Sequence, residues 1–318
     1  MGLYHSVRAV AGASGDGAVD WRAVAEAAKE ATDPGDLTLS PAEREGYATD
    51  VRDARDRVRE VSGLSFDLPE TVEVQHRHHW IDANVATFER VMTPLEEQAE
   101  FIPGVARVVN TGSMAFALSF LGNNVLGQYD PLLLAETPDD DHALYFVHPN
   151  IARVADQLAV DRARFRRWIA FHEVTHAAEF GAAPWLSEHM EDAMEDAIDR
   201  LTDGNIDRTS LGELDTTMTA VEGYAELLMD RAFDDEYDDL RRKVDERRQG
   251  RGPMAQLVRR LLGLGMKRQQ YERGKEFFEA VADACGVEAA GQVWDSPETL
   301  PTDEEIETPA LWIERVDP

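Results

Sequence analysis

The chain has 318 residues, 43% hydrophobic and 30% charged, which is the balance of a globular protein with one large domain or two smaller ones and excludes the disordered classes. Its 62 acidic residues outweigh 32 basic ones, and a net charge of −30 excludes partners that need a basic patch, namely nucleic acid and anionic membranes. Lysine stands only at 29, 243, 267 and 275, leaving 28 arginines, and the composition is the one expected of a protein working in concentrated salt, as in a halophilic cytoplasm.

Residues 1–17, rich in Gly, Ala and Ser, are expected to pack poorly, and they lack the basic stretch and apolar core of a signal peptide. Trp21 to Ala31 reads as a helix with Trp21, Val24, Ala25 and Ala28 on one face. After the turn Asp33-Pro34-Gly35-Asp36, Ser40-Pro41-Ala42-Glu43 has the form of a capping box opening a helix to about Val61. Gln75-His76-Arg77-His78-His79 is rich in histidine, but adjacent histidines share no helix face, so a surface or helix-entry role is favoured over metal binding. Helices are expected over Trp80–Leu95 and Thr111–Val125. The most apolar stretch, Met114–Leu126, is interrupted by polar residues and falls short of the ~20 residues of a membrane span. A soluble, cytoplasmic protein is therefore expected.

Gly127-Gln128-Tyr129-Asp130-Pro131 reads as a loop, and 136–141 as an acidic loop. Ala143–Val147 is the clearest strand, ended by Pro149. Asn150–Gln157 leads into a short helix, and Asp161 is a candidate N-cap for a long helix that ends near Gly181. Further helices are expected over Leu186–Leu201, Thr216–Phe233, 254–263 and 266–285, with a turn at 203–205 and a solvated charge run over 233–252. Cys285 is the only cysteine, which excludes an internal disulfide and a thiolate zinc cluster. The expected fold is mainly α with a small β-sheet (α+β). The expected organisation is a flexible N-terminus over 1–17, a helical part over 18–135, and a catalytic core with helical C-terminal part over 136–318.

The chemistry concentrates in Phe171-His172-Glu173-Val174-Thr175-His176-Ala177-Ala178-Glu179-Phe180. Residues four apart lie on one helix face, so His172 and His176 can offer two imidazole nitrogens to one Zn²⁺, and Glu173 between them fits a general base. A catalytic zinc needs a third protein ligand and an open position for water. Glu179 lies about 4.5 Å beyond His176 along the axis, too far to share an ion held between the histidines. His189, after the Pro184 turn, is a second outsider. Glu222 is favoured: it lies 46 residues after His176 on another helix, enough for the chain to reverse, and Gly223 permits close helix approach. Glu226, one turn on, is placed to accept a hydrogen bond from the outer nitrogen of a zinc-binding histidine.

Glu222-Gly223-Tyr224-Ala225-Glu226 resembles the second-helix motif of gluzincins, in which the first Glu binds zinc. More widely, the chain resembles the zincin-like metallopeptidase family that is also labelled as associated with deazaflavin-coenzyme biosynthesis. The resemblance is carried by Val125-Leu126-Gly127-Gln128-Tyr129-Asp130, Tyr145-Phe146-Val147-His148-Pro149-Asn150, the motif helix with Ala183-Pro184-Trp185-Leu186, and Val221–Glu226. The tail, with Gln270-Tyr271, Gly274, Phe277, Val293-Trp294 and Ser296–Pro301, is similar too. The resemblance implies a zincin-like catalytic core but no particular substrate.

The leading expectation is zinc-dependent hydrolysis of a peptide or small amide, with His172, His176 and Glu222 holding the metal and Glu173 as base toward a metal-activated water. Tyr224, Tyr271 and His189 are candidates for stabilising the oxyanion or touching substrate. In zincins an edge strand before the motif helix pairs with extended substrate, and Tyr145-Phe146-Val147 is assigned that part. The alternatives are a zinc-stabilised scaffold or binding protein without catalysis, and an amidase of coenzyme metabolism. The presence of Glu173 favours catalysis over the scaffold, and oligomeric state is not legible.

Overall fold

A computed structural model describes residues 18–98, 104–130, 142–202, 212–233, 239–244 and 268–318. The expected acidic loop over 136–141, the turn at 203–205, the helix over 254–263, the parts of the charge run over 234–238 and 245–252, and residues 1–17 lie outside them.

The described chain is mainly helical, with a small sheet, as the sequence predicts. Helix α1 (Trp21–Glu30) is capped by Asp20, whose carboxylate accepts from the Ala23 amide. Helix α2 (Pro41–Ser62) opens on the predicted capping box: Ser40 Oγ accepts from the Glu43 amide, and the Glu43 carboxylate accepts from the Ser40 amide. Strand β1 (Thr71–Gln75), absent from the sequence reading, is followed at once by α3 (Arg77–Gln98) and α4 (Gly104–Gly122). His76 sits at the start of α3 and its Nδ1 accepts from the His79 amide, so the histidine-rich stretch begins a helix, as favoured.

Strands β2 (Gly127–Asp130) and β3 (Ala143–Val147) complete a three-stranded sheet in the order β1-β3-β2, parallel between β1 and β3 and antiparallel between β2 and β3. Two expectations are corrected here. The segment 127–131, read as a loop for its Gly, Asp and Pro, is a strand over its first four residues. And β3 is the central strand, so Tyr145, Phe146 and Val147 spend their backbone on both neighbours and form no substrate-binding edge; among the described residues the edges belong to β1 and β2.

A buried polar knot fixes where β2 begins. Asn150, fully buried, donates to the carbonyls of Gly122 (2.8 Å) and Val125 (2.7 Å) and accepts from Arg77 Nε (2.7 Å). The end of α4, the start of α3 and the helix after β3, α5 (His148–Leu158), are thereby tied at one point.

Helix α6 (Arg162–Ala182) carries the His-Glu-x-x-His motif and is capped by Asp161, which accepts from the Arg164 amide. The sequence suggests one apolar face, but the helix is buried nearly all round: α2 packs on it, as do α5, β2 and α8 (Gly212–Ala232). An Asp50–Arg166 ion pair of 2.6 Å, mostly withdrawn from solvent, pins α2 to its first half. Helix α7 (Leu186–Thr202) follows the turn at Pro184, and α9 (Arg268–Cys285) packs against α8. The tail adds α10 (Val287–Ala290), two 3₁₀ turns, α11 (Asp303–Glu307) and α12 (Pro309–Val316). Trp294 and Trp312 bury themselves in the same core as Phe165, Phe171 and Tyr224, while Trp21, Trp80 and Ile81 form a second cluster around α1, α3 and α4.

Candidate metal centre

Four-residue spacing on α6 brings His172 and His176 together as predicted. Their rings meet edge to face at 4.7 Å, and the two Nε2 atoms lie 3.4 Å apart. That equals the separation of two nitrogens on one tetrahedral ion with bonds of ~2.1 Å, about 3.4 Å. The Glu222 carboxylate, reaching in from α8, completes the group: the three ligand atoms lie within 4.8 Å of one another, and all three residues are half-buried. One carboxylate and two imidazoles of this geometry suit a divalent metal with a position left for water.

The outer nitrogen of His176 explains Glu179. Its carboxylate, fully buried, sits 2.8 Å from His176 Nδ1 and so holds the ring with Nε2 turned toward His172. The distance argument against Glu179 as a ligand stands, but its orienting position was missed; the signal was the i, i+3 spacing from His176. Burial opposes a charge on His176, yet the nearby carboxylates of Glu179, Glu222 and Glu173 outweigh it and push its pKa up to about 10. The same acidic surroundings favour a bound cation. The His172 ring lies parallel to the Trp168 indole at 5.9 Å.

Glu173 is buried beside this group. Burial lifts its pKa to about 7, against the downward pull of His176 and of the Tyr129 amide. That amide donates to Glu173 Oε2 at 2.9 Å, which places β2, the edge strand, directly against the carboxylate. Gly127 makes the contact feasible: a Cβ there would stand 2.6 Å from Glu173 Cγ and 2.7 Å from Oε1.

The remaining sequence-predicted residues lie on α7, α8 and α9. Glu226 is buried on α8 and pairs with Arg241 at 3.2 Å. Tyr224 is fully buried, its ring against Phe278 (5.1 Å) and Trp294 (5.6 Å), so a role in touching substrate is withdrawn. His189 lies on α7 with Nε2 3.3 Å from the Thr217 hydroxyl. Tyr271 belongs to α9, and its side chain lies outside the described residues. Gly223 does permit a close approach, but to α9 rather than α6: a Cβ on it would lie 2.4 Å from the Gly274 carbonyl carbon, and one on Gly274 would lie 2.3 Å from the Thr219 oxygen.

A helix with His-Glu-x-x-His, a glutamate from a later helix and an antiparallel edge strand over the motif define a zincin-like protein. The chain belongs to the zincin-like metallopeptidase family, whose model matches residues 19–212 and 201–313. Its fold is shared with a Chloroflexus aurantiacus protein, provisionally described as a hydrolase with a novel fold, whose crystal structure superposes with a TM-score of 0.79. The two are 32% identical over 94% of this chain and 99% of that one. No curated protein matches the sequence. No helix among the described residues is long and apolar enough to cross a membrane.

Proposed function

We propose that the protein is a zinc-dependent hydrolase that cleaves peptide bonds, with His172, His176 and Glu222 as metal ligands and Glu173 as general base. The observation that carries this reading is the convergence of three ligand atoms within 4.8 Å, with the Glu173 carboxyl buried beside them. When bound, zinc supplies a Lewis acid and lowers the pKa of water toward neutrality. Glu179 keeps the Nδ1 side of His176 occupied, so Nε2 stays turned toward the metal position. Glu173, with a pKa near neutrality, takes the proton from water and returns it to the leaving amine. The Tyr129 amide aims its carboxylate during both transfers.

Strand β2 takes over the substrate-pairing part first assigned to Tyr145–Val147. Along an antiparallel strand, backbone groups point alternately to either side. Leu126 accepts from the Val147 amide, toward the sheet, whereas the Tyr129 amide points out to Glu173 on α6, so Gly127 and the Tyr129 carbonyl are left to present the outer edge. A non-catalytic scaffold has no use for a buried carboxyl held next to its ligands, and Glu173 therefore favours catalysis.

The test is metal content of the protein purified in high salt, beside His172→Ala. About one zinc per chain, lost in the variant, with hydrolysis of quenched-fluorescent peptides that Glu173→Gln abolishes while retaining the metal, supports the proposal. A metal-loaded protein that cleaves equally well with Gln at 173 overturns it.

A further inference from the structure

We infer that the substrates of this protein are short peptides, gripped by their backbone over no more than three residues, because the strand edge open to them is that short. The inference rests on the peptidase reading above and adds the length of the substrate.

Strand β2 is four residues long, and its register sets Gly127 against Phe146 and Tyr129 against Leu144. The Leu126 carbonyl accepts from the Val147 amide, so alternation turns Gln128 and Asp130 toward β3 and leaves the backbone of Gly127 and Tyr129 facing outward. One of the two outward donors is already spent: the Tyr129 amide is bonded to Glu173 Oε2 at 2.9 Å. A peptide laid along this edge meets the Glu173 carboxylate where its own acceptor for Tyr129 would lie. What remains for it is the N–H and C=O of Gly127 and the C=O of Tyr129.

Neither end lengthens the edge. Before Gly127, the next residue of the same parity is Val125. Its N–H donates at 2.8 Å to the Leu121 carbonyl, in the last turn of α4, and its C=O accepts from Asn150 Nδ2 at 2.7 Å. The knot that fixes where β2 begins therefore also closes the edge on that side. After Tyr129, the next position of the same parity is Pro131, which has no N–H to give in any conformation.

In an antiparallel ladder one substrate residue exchanges both bonds with Gly127, and the residue two positions earlier gives its N–H to the Tyr129 carbonyl. The grip is three bonds over three residues. Strand addition draws its affinity from such main-chain bonds, each a net factor of about two- to tenfold. Substrate residues beyond the third find no further partner on β2.

The experiment is a length series in high salt. Acetylated and amidated peptides of two to eight residues are built around a pair cleaved in a mixed-sequence pool, lengthened with serine at either end and followed by the amines released. The metal-loaded protein should show kcat/KM rising up to three residues and then level within about twofold. An N-methyl scan of a hexapeptide, the cleaved amide aside, should cost about two- to tenfold at two positions two residues apart and less than about twofold elsewhere.

Two added bonds at the lower value compound to about fivefold. A rise of that size for every two residues beyond the third, or losses at every second N–H along the hexapeptide, overturns the inference, because either needs an edge longer than β2 provides. Failure to cleave any peptide when metal-loaded sinks the peptidase reading instead. Calorimetry of alanine–serine peptides of the same lengths with the Glu173→Gln protein then decides the edge. Affinity that is level from three residues upward keeps it as a short-peptide site, and affinity that climbs with length, or no binding at all, ends it.

Discussion

Gly127 and Glu179 show how single residues shape a site without being among its candidate ligands. A side chain at 127 would occupy the space of the Glu173 carboxyl, so Gly127→Ala forces either that carboxyl or the strand to move. The expected result is metal content unchanged and kcat lowered by on the order of 100-fold, the scale of a misplaced general base, read from turnover beside metal analysis. Glu179 acts through the His176 ring. Removing its charge with Glu179→Gln should weaken metal affinity about 10- to 100-fold in competition with a chromogenic chelator, while a thermal melt of the loaded protein changes little. The two histidines and Glu173 were legible from spacing alone. The part of Glu179 was not, because the sequence invites the question of which atoms reach the ion and hides which atoms hold the ligands still. Tyr224 misled for the opposite reason: its hydroxyl advertises polar chemistry, but its apolar ring outweighed the one oxygen when the core formed.

Among the elements, helices announced themselves, and of the three strands only β3 did. Caps at Ser40 and Asp161 were readable because a side chain must meet orphan amides at a fixed offset. Strands β1 and β2, of five and four residues, are too short to show alternation, and β2 is flanked by the Gly and Asp of a turn. What makes β2 a strand lies elsewhere: the ladder to β3, the Glu173 carboxyl, and the knot at Asn150. Asn150→Leu would strand the Gly122 and Val125 carbonyls and leave Arg77 Nε without its acceptor. At about 1–3 kcal/mol per buried group left unmade, a loss of at least about 3 kcal/mol is expected in denaturant unfolding. Because the knot sets the start of β2, turnover should fall further than folding alone explains. A variant of wild-type stability would show that the knot does not carry the strand.

Across the whole molecule, charge acts on a longer range than any packing contact. A net −30 repels itself over the entire surface, and raising the salt shortens the Debye length from about 10 Å at 0.1 M to about 3 Å at 1 M. Stability should therefore rise with KCl, with a melting temperature higher by on the order of 5 °C at 2 M than at 0.1 M. A flat or falling curve would separate this chain from salt-adapted proteins. The mainly α fold with a small sheet was legible because helical periodicity runs through most of the chain. The packing of its tail was not, since Trp294 and Trp312 enter the core from a 3₁₀ turn and a short helix, too brief to show a period.

The crossing of α8 and α9 at Gly223 and Gly274 puts Glu222, the proposed third ligand, in an unusual debt. Glu222 sits on a helix whose position is set from behind, by a segment that comes much later in the chain and closes around Trp312. On the proposed ligand set, metal affinity would be a remote gauge of how well that segment is docked, and docking would in turn be linked to the ion by mass action. Chelating the metal should speed amide exchange in Arg268–Cys285 although no residue of that helix is among the proposed ligands. A bulky side chain at 274 should act as a chelator written into the sequence.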